Sequence, residues 1–133
     1  MEVIHTALVV SSMDEALNFY LDTLGLDHHW EFEDDGERNV YIGGPDGATL
    51  QLSASPEKEP PDEDVSTLDI GSEHVALLVD DLETILKRAT ASGNPVVVKP
   101  QEADLDWGRS RIAFVADPDG HAVELVQRPS VLG

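Results

Sequence analysis

Two histidines, a glutamine and a glutamate recur at matching places in two halves of the chain. His5 opens the segment His-Thr-Ala-Leu-Val-Val, and His74 opens the similar segment His-Val-Ala-Leu-Leu-Val. Gln51 follows a Gly-Pro-Asp-Gly turn at the same distance at which Glu124 follows Asp-Pro-Asp-Gly. Two imidazoles, an amide oxygen and a carboxylate suit a borderline divalent ion such as zinc, nickel, cobalt or iron. The pattern therefore indicates an internal repeat in which each half supplies two ligands of one metal site.

Each of these residues also has a plainer structural interpretation. A lone histidine on a strand is more often a satisfied core or rim residue than a ligand. Gln51 could belong to a solvated face of its strand, and Glu124 could pair with Arg111 or Arg128. The metal interpretation is favoured because both halves keep polar groups at equivalent inward positions, where burial is costly unless the group is paired or bound.

Composition narrows the classes of function. The chain has 133 residues and contains no cysteine, so we expect a single domain without disulfides or thiolate ligands. Its net charge of −19 argues against nucleic acid and anionic membranes as partners. No apolar run resembles a signal peptide or a membrane span, and we expect a cytoplasmic protein. Acidic residues spread over the whole chain are typical of proteins from salt-rich habitats.

The positions of turns and apolar stretches predict an α+β fold. We expect two tandem βαβββ modules whose strands form a curved mixed sheet around a metal-binding cleft. Module one covers about 1–55, a linker rich in proline and acid covers 56–72, and module two covers about 73–128. The predicted strands are 2–10, 30–32, 39–42 and 48–54 in module one, and 73–79, 96–99, 111–115 and 121–127 in module two.

Each module is predicted to contain one helix. Ser12 and Glu15 form a capping box at the start of the first helix, and Gly25 ends it. Asp80-Asp81 precedes the second helix, which Gly93 ends. The apolar stripes are Ala16, Leu17, Tyr20, Leu21 and Leu24 in the first helix, and Leu82, Ile85, Leu86 and Ala89 in the second.

The sequences of these motifs resemble those of the vicinal oxygen chelate superfamily, which includes glyoxalases, bleomycin-resistance proteins and dioxygenases. The similarity is greatest to bacterial-type glyoxalase I (lactoylglutathione lyase) and covers nearly the whole chain. The segments that carry it are His5-Thr6-Ala7-Leu8, Phe19-Tyr20, Leu24-Gly25, Glu73-His74-Val75-Ala76-Leu77, and Phe114 to Gly120 with Glu124-Leu125.

This resemblance implies a metal site and a reaction. His5 and His74 match the histidine ligands of the family, Gln51 stands at its third ligand, and Glu124 matches the carboxylate that binds metal and moves the proton. The implied enzyme is a lyase that isomerises the hemithioacetal of methylglyoxal and a small thiol to a lactoyl thioester through a metal-bound enediolate. One divalent ion per site is implied, with nickel, zinc or cobalt preferred to iron. Relatives also imply a homodimer whose site is shared between chains.

One ligand departs from the glyoxalase I pattern. Bacterial-type glyoxalase I enzymes usually have glutamate where this chain has Gln51, and the ordered set His, Gln, His, Glu resembles methylmalonyl-CoA epimerase. An epimerase would return the proton to the opposite face of the same carbon. An extradiol dioxygenase with iron would leave Gln51 unused. A bleomycin-resistance-type binding protein is the alternative outside enzymes, although such proteins typically lack the ligand set.

The identity of the substrate-binding residues also has two interpretations. Glutathione-using relatives carry arginine at the position of Val9 and asparagine near Ser55, so a different thiol is implied. Arg109 and Arg111 could hold a smaller anionic substrate, with Trp107 as a lid over the pocket. In the alternative interpretation, the two arginines neutralise an acidic surface and Trp107 is a packed turn residue.

Overall fold

The computed structural model describes residues 1–55 and 74–129. The chain divides into two compact units, Met1–Asp62 and Glu63–Gly133. The predicted linker at 56–72 lies outside the described residues, as does position 73. No helix in the described ranges has the length and apolar character needed to cross a bilayer.

Each unit contains one βαβββ sequence of elements. The first unit has β1 (His5–Val9), α1 (Met13–Leu17) with a π-helical extension (Asn18–Thr23), β2 (Asp27–Asp34), β3 (Glu37–Gly43) and β4 (Thr49–Ala54). The second has β5 (Val75–Leu78), α2 (Leu82–Ala91), β6 (Val96–Leu105), β7 (Gly108–Ala116) and β8 (Ala122–Gln127). The α+β prediction with two βαβββ modules is confirmed.

The two sheets have the same strand order. The first sheet is ordered β1-β4-β3-β2 and the second β5-β8-β7-β6. In each sheet the first strand pairs in parallel with the last, and the remaining pairs are antiparallel. Equivalent residues of the two sheets therefore have equivalent neighbours on the adjacent strands.

One face of each sheet packs against the helix of its own unit. In the first unit the buried residues of this layer include Val40, Ile42, Leu50 and Leu52, which are at most 4% exposed. In the second unit α2 contacts β6, β7 and β8, and buries Leu82, Leu86 and Ala89. Because side chains alternate along a strand, the polar residues between these core positions lie on the opposite face.

The helices begin and end at the predicted residues. Ser12 Oγ accepts a hydrogen bond of 3.2 Å from the backbone N–H of Glu15, and Asp81 accepts one of 3.3 Å from the N–H of Thr84. Gly25 and Gly93 follow the two helices with φ of 92° and 83°, a conformation that favours glycine. The capping signals in the sequence are confirmed.

The first helix departs from the predicted apolar stripe. After Leu17 the helix widens into a π turn, in which the N–H of Leu24 donates to the carbonyl of Phe19 at 2.9 Å. Phe19 is 1% exposed, whereas Leu17 and Leu21 of the predicted stripe are partly buried. These two leucines therefore lie at the edge of the buried face of the helix.

The hairpin of β6 and β7 is longer than the sequence suggested. A short strand at 96–99 followed by a polar loop was predicted, but β6 continues to Leu105 and β7 begins at Gly108. The polar residues in this stretch pair across the two strands, with Asp104 opposite Arg109 and Glu102 opposite Arg111. The polar residues that suggested a loop therefore lie in an exposed two-stranded antiparallel ribbon.

Candidate metal centre

Glu124 lies on the face of the second sheet that points away from α2. It is opposite Ala76 on β5 and Phe114 on β7. Along β8 it is flanked by Ala122 and Val126, which belong to an apolar cluster with Phe114 and Ile112. The carboxylate is thus set into an apolar surface, where it needs a partner.

His74 is that partner in the described structure. Its Nε2 lies 3.2 Å from Oε1 of Glu124, and the two side chains are 28% and 15% exposed. The imidazole packs edge-on to Phe114, with 5.3 Å between the ring centroids. Two adjacent ligands of a tetrahedral zinc ion with bonds near 2.0–2.1 Å would lie about 3.3 Å apart. The observed separation therefore suits a pair of donors to one small divalent ion.

The first sheet repeats this arrangement. Gln51 is opposite Ala7 on β1 and Tyr41 on β3, as Glu124 is opposite Ala76 and Phe114. His5 packs edge-on to Tyr41, again with 5.3 Å between the ring centroids. In both units the histidine at the start of the sheet rests on the aromatic ring that neighbours the glutamine or glutamate.

Asn39 contacts Gln51 and was not identified as a site residue from the sequence. Nε2 of Gln51 donates a hydrogen bond of 2.9 Å to Oδ1 of Asn39, which is 2% exposed. The alternation of Asn39, Val40, Tyr41 and Ile42 along β3 places the asparagine on the face of Tyr41. That signal was present in the sequence, but the register with β4 was needed to bring Asn39 to Gln51.

A cluster of aromatic side chains adjoins His5 and Gln51 in the first sheet. Tyr41 packs against Trp30 and Phe32 of β2, with centroid distances of 5.5 Å and 6.2 Å. Trp30 remains 59% exposed in the described structure. An aromatic layer on the ligand face offers an apolar surface to the uncharged part of a small substrate.

A tight turn sets the start of the strand that carries Glu124. Asp117 is 3% exposed, and its Oδ1 accepts hydrogen bonds from the backbone N–H of Asp119 at 2.9 Å and of His121 at 2.8 Å. Gly120 completes the turn with φ of 89°, and Gly47 has the same φ in the first unit. Each turn therefore has a glycine with positive φ two residues before the strand that follows, β4 or β8.

The two arginines predicted to bind substrate form ion pairs. Arg109 contacts Glu102 at 2.7 Å and Asp104 at 3.2 Å, and Arg111 contacts Glu83 of α2 at 2.7 Å. The hydrogen bond to Glu102, together with the charges of Glu102 and Asp104, raises the pKa of Arg109. These contacts fit the alternative in which the arginines neutralise an acidic surface.

Strand parity separates these arginines from the carboxylate in the second sheet. Arg111 reaches α2, so it lies on the helix face, whereas Glu124 lies on the opposite face. Arg109, two residues earlier on β7, has the same parity as Arg111. Their role in substrate binding stays a prediction.

The remaining predicted substrate-binding residues lie at strand ends. Trp107 is in the turn between β6 and β7, where its Nε1 donates to Ser110 Oγ at 2.9 Å and Arg128 stacks 4.6 Å from the ring centroid. Val9 ends β1 and Ser55 follows β4, and these paired strands run in parallel. Val9 and Ser55 therefore lie at the same end of the first sheet, and their role stays a prediction.

No three histidine, aspartate or glutamate side chains in ranges 1–55 and 74–129 form one group suited to a metal ion. The second unit brings His74 and Glu124 together, and the first places His5 and Gln51 around Tyr41. The donors are two imidazoles, one amide oxygen and one carboxylate, which suit a divalent ion of intermediate softness.

The chain is similar in sequence to known lactoylglutathione lyases. The chain is 28% identical over 137 residues to the lactoylglutathione lyase of Neisseria meningitidis serogroup A, covering 98% of this chain and 93% of that protein. It is 30% identical over 135 residues to the probable lactoylglutathione lyase of Synechocystis, covering 98% of both chains. For Haemophilus influenzae lactoylglutathione lyase the identity is 29% over 137 residues, with coverage of 98% and 95%.

Solved structures share the fold. A maize (Zea mays) glyoxalase I mutant has a TM-score of 0.75 at 21% identity, covering 97% of this chain and 45% of the maize chain, so this chain spans less than half of that protein. The trypanothione-dependent glyoxalase I of Leishmania major has a TM-score of 0.72 at 23% identity, with coverage of 96% and 86%. The family model for the Glyoxalase/Bleomycin resistance protein/Dioxygenase superfamily matches residues 2–125. The chain therefore belongs to the glyoxalase/bleomycin resistance protein/dioxygenase superfamily.

Proposed function

We propose that this protein is a metal-dependent lyase of the glyoxalase I type. Its substrate is the hemithioacetal of methylglyoxal and a small thiol, and its product is the lactoyl thioester. The observation that carries the proposal is the His74–Glu124 pair in an apolar surface, with its counterpart of His5 and Gln51 in the other unit. The similarity to several lactoylglutathione lyases supports the choice of reaction.

The four residues of the repeat would hold one divalent ion: His5, Gln51, His74 and Glu124. Nitrogen and oxygen donors of this kind fit several divalent ions, and we expect nickel, zinc or cobalt in preference to iron. When bound, such an ion supplies Lewis acidity that stabilises negative charge on a substrate oxygen.

Glu124 is the residue that moves the proton. Its carboxylate takes a proton from the carbon that carries sulfur and hydroxyl, and delivers a proton to the neighbouring carbonyl carbon. One C–H bond breaks and one forms, while the O–H proton is lost from one oxygen and gained by the other, so the reaction is an isomerisation without an external oxidant. The apolar neighbours of Glu124 limit its contact with water, and His74 orients it.

The assay that tests this proposal combines metal analysis with a panel of thiols. We expect the purified protein to retain stoichiometric divalent metal, and to form a thioester from methylglyoxal with at least one thiol. A protein that binds no divalent ion would contradict the proposal and favour the drug-binding class. Thioester formation would be followed by its ultraviolet absorbance, with metal-stripped protein as the control.

The glutamine ligand favours a second candidate function. The set His5, Gln51, His74 and Glu124 resembles methylmalonyl-CoA epimerase, which moves a proton on a single carbon. Metal-loaded protein that exchanges the α-proton of a methylmalonyl thioester with solvent deuterium, and forms no thioester from methylglyoxal, would favour the epimerase.

We also propose a homodimer in which His5 and Gln51 of one chain share an ion with His74 and Glu124 of the other. Mixing a His5→Ala variant with a Glu124→Gln variant then creates heterodimers with one intact site and one doubly altered site. Statistical exchange of subunits should restore roughly a quarter of the wild-type activity. A mixture as inactive as either variant alone, despite exchange of subunits, would place all four ligands in a single chain.

A further inference from the structure

Gln51 is held by a partly buried hydrogen bond to Asn39 that has no counterpart at Glu124 within residues 1–55 and 74–129. Asn39 accepts from Nε2 of Gln51 at 2.9 Å and is 2% exposed. The residue opposite Ser53 on β4 is Asn39, and the corresponding residue of the second sheet, opposite Val126 on β8, is Ile112. The repeat thus places an amide beside the glutamine and an aliphatic side chain beside the glutamate.

A second hydrogen bond of Asn39 determines the direction of its hydrogen bond with Gln51. Nδ2 of Asn39 donates to the backbone carbonyl of Glu37 at 3.4 Å, and a carbonyl oxygen can only accept. This contact turns Oδ1 of Asn39 toward Gln51. Gln51 must therefore donate through Nε2, which leaves its carbonyl oxygen as the atom that can bind a cation.

We propose that Asn39 is a positioning residue that presents the amide oxygen of Gln51 as a fixed metal ligand. This inference rests on the proposed function, since it concerns the same ion. The two halves of the repeat then have different tasks: Gln51 is anchored and stays a ligand, whereas Glu124 contacts His74 among apolar neighbours and can leave the ion to move a proton.

Removing the acceptor tests the inference. The Asn39→Leu variant should bind Ni²⁺ or Co²⁺ at least about tenfold more weakly, because hydrogen-bond partners of metal ligands typically contribute 10–100-fold to affinity. Asn39→Asp keeps an acceptor for Gln51 but loses the donor to the Glu37 carbonyl, so it should bind metal more tightly than Asn39→Leu. Affinity is measured by titration of the metal-free protein, with the Co²⁺ absorption spectrum as a second readout.

Ser53→Ala is the matched control. Ser53 is 4% exposed, lies opposite Asn39, and donates to Glu37 Oε1 at 2.7 Å. It should destabilise the fold without changing metal affinity. Equal affinities for the Asn39→Leu and Ser53→Ala variants would overturn the inference.

In a protein that carries Gln51→Glu, the Asn39→Asp substitution should have a different effect on metal affinity. In a Gln51→Glu protein the ligand no longer donates, so Asn39 must reverse its amide and donate to the new carboxylate. Asn39→Asp should then be harmful, because two carboxylates in contact repel each other and neither donates a hydrogen bond. We expect the double variant to bind metal more weakly than Gln51→Glu alone. An unchanged affinity in the double variant would contradict the inference.

Failure of the inference and failure of the proposed function are distinguishable. A His74→Ala variant with undiminished metal affinity would remove the proposed metal site itself. If His74→Ala weakens metal binding and Asn39→Leu does not, the proposed metal site would stand and only the role of Asn39 would be refuted.

Discussion

At the scale of single residues, the two halves of the repeat differ where chemistry would require a difference. Gln51 and Glu124 have the same shape and equivalent strand neighbours, but only the glutamate can carry a proton. Gln51 is tied to Asn39, whereas Glu124 is surrounded by apolar side chains and paired with His74. Under the proposed function, Gln51 would hold the ion, and Glu124 would both hold it and transfer a proton.

The Glu124→Gln substitution separates these tasks. The chain already has glutamine at the matching position, so the variant keeps a possible ligand oxygen and the hydrogen bond to His74. We expect kcat to fall by about 10²–10⁴-fold, the usual contribution of a positioned base. Turnover is measured with metal-loaded protein, and melting temperature and bound metal are measured in parallel.

Glu33→Gln is the control for that substitution. Glu33 is an exposed residue of β2, so its replacement changes the net charge equally without touching the candidate site. A Glu124→Gln protein as active as the Glu33→Gln protein would refute the role of Glu124 as base.

At the scale of elements, the turn before β8 is held by one buried carboxylate. Asp117→Ala would leave the N–H groups of Asp119 and His121 without their acceptor. We expect a loss of about 1–3 kcal/mol in the free energy of unfolding, the usual cost of unpaired buried donors. Asp46→Ala removes an aspartate from an exposed position of the turn in the first unit; it is the control and should cost less. The free energy of unfolding is measured by urea denaturation. Equal decreases for Asp117→Ala and Asp46→Ala would show that the buried acceptor does not stabilise the turn.

The start of α2 provides a test that depends on pH. The side-chain hydrogen bond from Thr84, together with its backbone hydrogen bond, lowers the pKa of Asp81. A carboxyl with a lowered pKa in the folded state stabilises the fold above its unfolded pKa of about 3.9, and this contribution is lost as pH falls through the folded value. We expect the stability difference between wild type and Asp81→Ala to be constant near neutral pH and to shrink below about pH 4.

Neighbouring Asp80 provides the control for the helix cap. Asp80→Ala removes the same charge without removing the acceptor for Thr84, since that hydrogen bond ends on Asp81. Thermal unfolding of both variants over a pH series checks the prediction. A difference for Asp81→Ala that persists unchanged in acid would contradict it.

At the scale of the whole molecule, charge dominates the behaviour in solution. The net charge of −19 arises from 27 acidic residues against 8 basic ones. The described arginines are largely engaged in local ion pairs, as with Arg38 and Glu31, where the hydrogen bond from Arg38 lowers the pKa of Glu31. Mutual repulsion among the remaining carboxylates opposes the compact state.

Salt should therefore stabilise this protein. Raising NaCl from about 0.01 M to 1 M shortens the Debye length from about 30 Å to 3 Å, which screens repulsion between surface carboxylates. We expect the melting temperature to rise, with most of the increase at the low end of the range. KCl should act equally if screening is the cause. A melting temperature that falls with salt would contradict this expectation.

Much of the fold could be predicted because its signals are local. The capping residues Ser12 and Asp81 and the glycines Gly25 and Gly93 act on their own helices, and the structure places them as expected. Predictions failed where distant parts of the chain intervene. The π turn after Leu17 and the long β6–β7 hairpin depend on packing and cross-strand pairing that periodicity does not encode.

By itself, the amino-acid sequence determined the duplication, the alternation of side chains on each strand, and hence that Glu124 shares a face with Ala122 and Val126. The tertiary structure decided which side chains meet across strands: Asn39 with Gln51, the histidines with their aromatic rings, and Arg111 with the helix instead of the carboxylate face. The reason is physical. Strand parity is a property of the local backbone, whereas register and helix packing are settled by residues far apart in the chain.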